Sequence, residues 1–512
     1  MRNFTVKLMA VALVALVSCG AQLQAQNVLN GLKNAAKRTV QKTVNGNNSG
    51  TSTVKNSVSG ITDKAASALP AGKGKTYYVS VSTGSARSDG LTPQTAMKDL
   101  QKAIDTAEDN DIILVAEGNY LGSMDRGYIQ VGQFGNASND RGKYLSFYGG
   151  YSPDFSERDV LRYVTKFQPT DQKFIAPLFN INARRPYGYT GPVGTVVVDG
   201  FVFDLGENNV YCVANVDDDR TGTPNKGVLT GRILCNGESP SVPTVGTLKG
   251  DEYGLHMDVE GEIRVANCIF VNCRDYGIAA MMGKGHMEIC NNIFIACKYA
   301  SCQVRGNTGE ADIARVSLDF HHNTVLFSWT RDKTFEDMGQ GFRFMNGIRT
   351  IDVHNNIFGC NSNCGVERVY YDNKTVEAAK ESNLYDNYFF GNRRDLELAS
   401  SGAATISVPA ARIEEAEQIG PKYEGNKELP AGNDAFLNAI DQPYLQGFMN
   451  LEIVKSQSYD ANSTINQINR IFGQNQVGSE IVRPNMFGNK YPWEKAKDLF
   501  GKVPGYGAQM PK

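Results

Sequence analysis

Asn291-Asn292-Ile293-Phe294 is one of five copies of a phrase that organises the middle of the chain. The others are Asn267-Cys268-Ile269-Phe270, His322-Asn323-Thr324-Val325, Asn355-Asn356-Ile357-Phe358 and Asp386-Asn387-Tyr388-Phe389. Matching positions 267, 291, 322, 355 and 386 lie 24, 31, 33 and 31 residues apart. Each copy follows a short alternating run, such as Met287-Glu288-Ile289 or Ile351-Asp352-Val353. A strand–Asn–strand phrase returning at this pitch reads as a solenoid of stacked coils. The first Asn of each phrase, at 267, 291 and 355, is read as an inward ladder that satisfies buried turn amides.

Laying the copies in register predicts what faces outward, because side chains alternate along a strand. One outward column is Arg264, Glu288, Asp319, Asp352 and Asn383; its neighbour is Ala266, Cys290, His321, His354 and Tyr385. Coils stack about 4.8 Å apart, so Glu288, Asp319 and Asp352 would repel unless protonated, paired or bridged. Ca²⁺, which takes six to eight oxygens, is the cation this column would suit. The bland alternative is a solvated face relieved by water and Arg264. A second set of strands aligns Ile278, Cys302, Phe342 and Val366 inward. Ala279, Gln303, Arg343 and Glu367 then point outward, with Met281, Arg305 and Met345 beside them.

The chain has 512 residues, 41% hydrophobic, with a formal net charge of −2. This composition is globular, and the near-neutral charge gives no drive toward nucleic acid. Arg2 and Lys7 precede an apolar run over 8–17, too short to span a bilayer, so residues 1–25 read as a targeting segment. Two cleavage readings stand. Leu16-Val17-Ser18-Cys19 resembles a lipobox, which makes Cys19 a lipidated N-terminus and is preferred; ordinary cleavage after Ala21 or Ala25 is the alternative. Either route predicts an exported protein of the outer membrane or cell surface, or else a periplasmic or secreted one. No later stretch is apolar enough for a transmembrane helix. Residues 26–75 read as a basic helix and tether. Residues 76–400 read as the solenoid, interrupted by an insertion at 206–260, and residues 401–512 as a closing cap or small α/β appendage. Cys273 and Cys297 repeat in phase and are expected to stack inside; Cys212 and Cys235 are the better disulfide candidates.

The opening segment, Thr76-Tyr77-Tyr78-Val79-Ser80 followed by Thr92-Pro93-Gln94-Thr95-Ala96 and a helical pattern over 97–107, resembles the cap and first coil of right-handed parallel β-helix proteins. Pectate-lyase-like enzymes and polymorphic outer-membrane proteins share that superfamily. Tyr148-Gly149-Gly150-Tyr151-Ser152-Pro153-Asp154 is similar to a phrase of the polymorphic type, and Val198-Asp199-Gly200-Phe201-Val202-Phe203 to a typical rung. The resemblance covers roughly residues 76–395 and implies an all-β solenoid with an N-terminal capping helix. It also implies that the strand face carrying Gln303, Arg343 and Glu367 is where a carbohydrate-active member would line its groove.

The expected function is therefore a non-catalytic envelope scaffold that binds a glycan or partner, with Gln303, Arg343 and Glu367 as binding residues. The alternative is a lyase or hydrolase acting on an acidic polysaccharide, with Ca²⁺ as its cation. In a lyase, Arg305 or Arg343 would bind the carboxylate or act as base, and Glu367 would orient them. A glycosidase needs two facing carboxylates, for which Glu367 and Asp275 are the candidates. No nucleophile elbow, zinc motif or phosphate-binding loop is present.

Overall fold

A computed structural model describes residues 74–121, 129–133, 142–168, 177–205, 255–328, 339–369, 382–458 and 490–511, apart from short segments within them, together with strand fragments between 212 and 234 and around 470–484. The expectations for Cys19, the tether and the Cys212–Cys235 pair fall outside the described residues or side chains.

Two large sheets of sixteen and nine strands, almost entirely parallel, run the length of the molecule. Each central coil contributes to three faces. In one coil, residues 276–282 form the first face and 286–290 the second, both within the strand Tyr276–Cys290, and Ile293–Ile295 forms the third. The next coil repeats this as Ala300–Gly306, Val316–His321 and Thr324–Leu326. Later coils supply Gln340–Met345, Thr350–His354 and Ile357–Gly359, then Cys364–Val369, Ser382–Tyr385 and Tyr388–Phe390. This is a parallel β-helix.

Sequence explains each corner. Between the first and second faces the strand bends at Gly261 and Gly285, paired in register, with φ of +107° and +106°. An added Cβ at Gly285 would lie 2.2 Å from the Gly261 carbonyl oxygen, so only glycine fits. Between the second and third faces stand Asn267, Asn291, His322, Asn355 and Asp386, all left-handed with φ of 51–57°. Asn and Asp adopt that region at lower cost than other residues with a Cβ. The inward ladder is displaced by one residue from its expected place. It consists of Asn292, Asn323, Asn356, Asn387 and Asn426, and the first Asn of each phrase is the turn residue. Asn356 Oδ1 accepts from the Asn323 backbone N–H (2.9 Å) while its Nδ2 donates to Asn387 Oδ1 (2.9 Å) and to the Phe320 carbonyl (2.9 Å). A left-handed residue turns the chain so that the side chain after it points inside, which alternation from the strand alone does not reveal.

The core between the faces holds Phe203, Phe270 and Phe294 stacked at 4.7 and 4.9 Å, and fully buried Cys273, Cys297 and Cys302. The described cysteines are free thiols. The helix Leu100–Thr106 packs at the N-terminal end, capped by Asp99, whose side chain accepts from the N–H groups of Gln101 and Lys102.

The C-terminal region lies along the third face. Outward Ile269, Ile293, Ile295, Leu326 and Ile357 pack beneath Phe436, Tyr444, Tyr491, Leu499 and Phe500 in a second apolar core. The last residues then staple the corner. Gln509 N–H donates to Asn291 Oδ1 (2.6 Å), Ala508 N–H to Thr324 Oγ1 (2.9 Å), and Gly507 N–H to the Asn355 carbonyl (2.8 Å).

Candidate functional site

The second face carries the acidic and histidine columns in the register expected. Arg264, Glu288, Asp319, Asp352 and Asn383 are successive partners, as are Ala266, Cys290, His321, His354 and Tyr385. Each carboxylate has a basic side chain beside it. Glu288 accepts from Arg264 Nε at 2.8 Å and lies 3.1 Å from His321 Nε2. Asp319 lies 3.1 Å from His354 Nε2, and Asp352 3.6 Å from Lys422 Nζ. Burial pushes the Glu288 carboxyl up, but the His321 hydrogen bond and the Arg264 charge outweigh it and hold it at about 2. The like-charge problem in the sequence is thus relieved by Arg264 and Lys422 at the ends of the acidic column and by imidazole contacts from the neighbouring column.

Aromatic stacking orders the same surface. His321 stacks on His354 at 4.9 Å and His354 on Tyr385 at 4.8 Å. His321 Nδ1 also meets His322 Nδ1 at 2.8 Å, so one of the two nitrogens carries the shared proton. Burial, then the neighbouring charges of His321 and His354, lower His322 to about 4, which keeps it neutral at ordinary pH. Burial lowers His354 too, but its bonds to Asp319 and Asn355 prevail and raise it.

At the head of the column stands a group that the sequence reading passed over. Asp199, with its side chain 5% exposed, is the coil partner of Ala266. It gathers Arg158 (2.6 Å), Arg264 (3.0 Å) and Asn267 (3.0 Å). The signal was present in Val198-Asp199-Gly200: extending the register one coil upstream puts this aspartate in the Cys290–His321 column.

On the first face Ile278, Cys302, Phe342 and Val366 are buried partners, and Ala279, Gln303, Arg343 and Glu367 run outward beside them. Arg343 Nε lies 2.7 Å from Glu367 Oε2, in a close charge contact off the hydrogen-bond line, and its Nη1 donates to Gln303 Oε1 at 3.2 Å. Burial raises the Glu367 carboxyl more than Arg343 lowers it. Arg305 is exposed, two residues along its strand from Gln303 and opposite Met281. The structure therefore joins Gln303, Arg343 and Glu367 into one patch. Arg305 is not among the contacts of that patch, and Asp275 lies outside the described residues.

A family model described as "Periplasmic copper-binding protein (NosD)" matches residues 213–427, which spans most of these coils. The chain has the fold of the right-handed parallel β-helix proteins. The periplasmic description agrees with the export expected from the N-terminal segment. Among the described residues, no helix of this β-helix is long and apolar enough to cross a membrane. Comparison with curated proteins finds no match. Among solved structures, the chain is similar to XylC in complex with xylose (11% identity, TM-score 0.29, 63% of each chain covered). It is also similar to pectate lyase Pel9A (11%, 0.27, 76% of this chain and 86% of that one). A third is a GH136 lacto-N-biosidase from Eubacterium ramulus (9%, 0.29, 69% and 66%). The β-helix thus spans just under two thirds of the XylC and lacto-N-biosidase chains. Likeness of this degree carries no argument about activity.

Proposed function

We propose that this exported β-helix is a non-catalytic scaffold that binds a glycan or an envelope partner across its outward columns, with Gln303, Arg343 and Glu367 at the centre. The observation that carries the reading is the Arg343 patch. A lyase base must be free to accept a proton. Arg343, held between a carboxylate and an amide oxygen, is a fixed cation, and Glu367 is its counter-ion. The same three groups are part-buried hydrogen-bond donors and acceptors suited to sugar hydroxyls or a polar protein surface.

The test is a glycan and envelope-extract panel with the mature protein, run beside absorbance assays for unsaturated products on pectate, alginate and chondroitin with Ca²⁺. Binding weakened by Arg343→Ala, with no product formed, is the expected result. Product formation abolished by Arg343→Ala would establish a lyase instead.

The copper in the family description calls for a fit test on this chain. Glu288, Cys290 and His321 each place a donor atom within 4.8 Å of the others, and carboxylate, thiolate and imidazole suit copper. Arg264, however, already donates to Glu288 and to Cys290 Sγ (3.4 Å), so a metal ion there would sit against a guanidinium. The three donors as arranged do not fit a metal ion. The three carboxylates expected to hold Ca²⁺ are likewise each set against Arg264, His354 or Lys422. Copper titration is expected to show no stoichiometric site that disappears in Cys290→Ser; such a site would reverse this assignment.

A further inference from the structure

The third face offers a different kind of surface. Its outward column runs Asn119, Lys166, Val202, Ile269 and Ile293 in register. The apolar members are roofed by the C-terminal region, and the polar members begin where that roof ends. At this edge lies an open cavity of about 440 Å³, lined by Glu117, Asn119, Arg162, Lys166, Trp493 and Lys497 among others.

Three cations and one carboxylate line it. Lys166 Nζ stands 4.9 Å from the Trp493 ring centroid and Lys497 Nζ 5.4 Å from the same ring. The two ammonium groups thus lie within about one Debye length of each other. Lys497 is fixed there by donation to the Leu161 carbonyl (3.0 Å), and Lys166 is 7% exposed. Arg162 is exposed at the rim, 3.2 Å from Glu157. Fixed like charges around an indole are favourable when an anion sits between them. The indole edge left between the two ammonium groups supplies apolar surface for sugar C–H groups, Glu117 accepts from hydroxyls, and Asn119 accepts or donates.

We propose that this cavity binds a carboxylate-bearing sugar of an acidic glycan, with Lys166, Lys497 and Arg162 on the carboxylate and Trp493 against the ring. The inference rests on reading the protein as a glycan binder but uses a site separate from the Arg343 patch.

The chain has two tryptophans, Trp329 and Trp493, so intrinsic emission reports the site. The mature protein is titrated with an oligogalacturonate, its methyl ester and a sulfated chondroitin oligosaccharide. A saturable emission change with the oligogalacturonate is expected, retained in Trp329→Phe, weakened at least about tenfold by the ester and falling with salt. The Lys166→Gln/Lys497→Gln pair should weaken it similarly. Arg162→Ala, at an exposed position, repeats the test should the double variant not fold. Equal affinity for the ester, a preference for the sulfated sugar, or unchanged affinity in Arg162→Ala and the folded double variant would overturn the proposal. Arg343→Ala should leave the emission signal intact. A glycan lost with Arg343→Ala but silent in emission would uphold the scaffold reading while removing this cavity from it.

Discussion

At the scale of single residues, two adjacent asparagines do opposite work. Asn356 bridges buried groups of three coils, and truncating it strands several donors and acceptors at once. Asn356→Ala is expected to cost about 2–4 kcal/mol in guanidinium unfolding. Asn355, left-handed at φ 54°, suits glycine at the backbone and loses only its part-exposed side-chain contacts to His354 and the Gly505 carbonyl, so Asn355→Gly is expected to cost about 1 kcal/mol. Equal costs at both sites would contradict the division of labour. His322 takes the same turn position in its coil, and its titration is visible from outside. Its folded pKa, about 4, lies below the ordinary 6.5, so the unfolded chain binds more protons between those values. The stability that depends on neutral His322 is complete above about pH 6.5 and is lost as pH falls toward 4. His354, raised when folded, acts in reverse: it adds stability at low pH, lost as pH rises through its folded pKa. His322→Asn keeps a residue suited to the turn and removes only the first contribution. Stability between pH 4 and 6.5 should become flatter by an amount on the order of 2 kcal/mol, read from melts across that range. A profile as steep as the parent's would exclude His322 as its source.

At the scale of elements, each coil is bent by glycine or by a left-handed turn residue. Gly285→Ala would drive a methyl into the Gly261 carbonyl at a φ that disfavours any Cβ. A loss on the order of 3 kcal/mol is expected, and a melt unchanged from the parent would show that the bend relaxes freely. The strand register was legible in the sequence because alternation and the Asn phrase agree over several coils. Both outward columns and the buried Ile278–Cys302–Phe342–Val366 row follow from it. The inward ladder was misplaced by one residue because a positive φ reverses the alternation, and the sequence marks that only through the preference for Asn. Ion pairing was partly legible: Arg264 beside Glu288 could be read, whereas Lys422 reaches Asp352 from outside the repeat. The Trp493 cavity was not legible, since its walls are over 300 residues apart in the chain.

At the scale of the whole molecule, two cores share one wall. The coils enclose the first, and the third face with the C-terminal region encloses the second. Removing the chain from residue 434 onward, which supplies the whole of that cover, would leave Ile269, Ile293, Leu326 and Ile357 facing water, a contiguous apolar strip of the kind that drives association. The shortened protein is expected to bind a hydrophobic dye and to elute as aggregates on size exclusion. A monomer with no dye binding would mean that the coils are self-sufficient. Tyr491 donates its N–H to Asn272 Oδ1 and accepts from Asn272 Nδ2 through its own carbonyl across 219 positions. At synthesis rates of about 5–20 residues per second, that strip waits roughly 10–40 s for its cover. During that interval the nascent chain carries an adhesive ribbon with nothing of its own to lay over it. The order in which the protein emerges thus makes its sides, more than its ends, the place where a chaperone has something to hold.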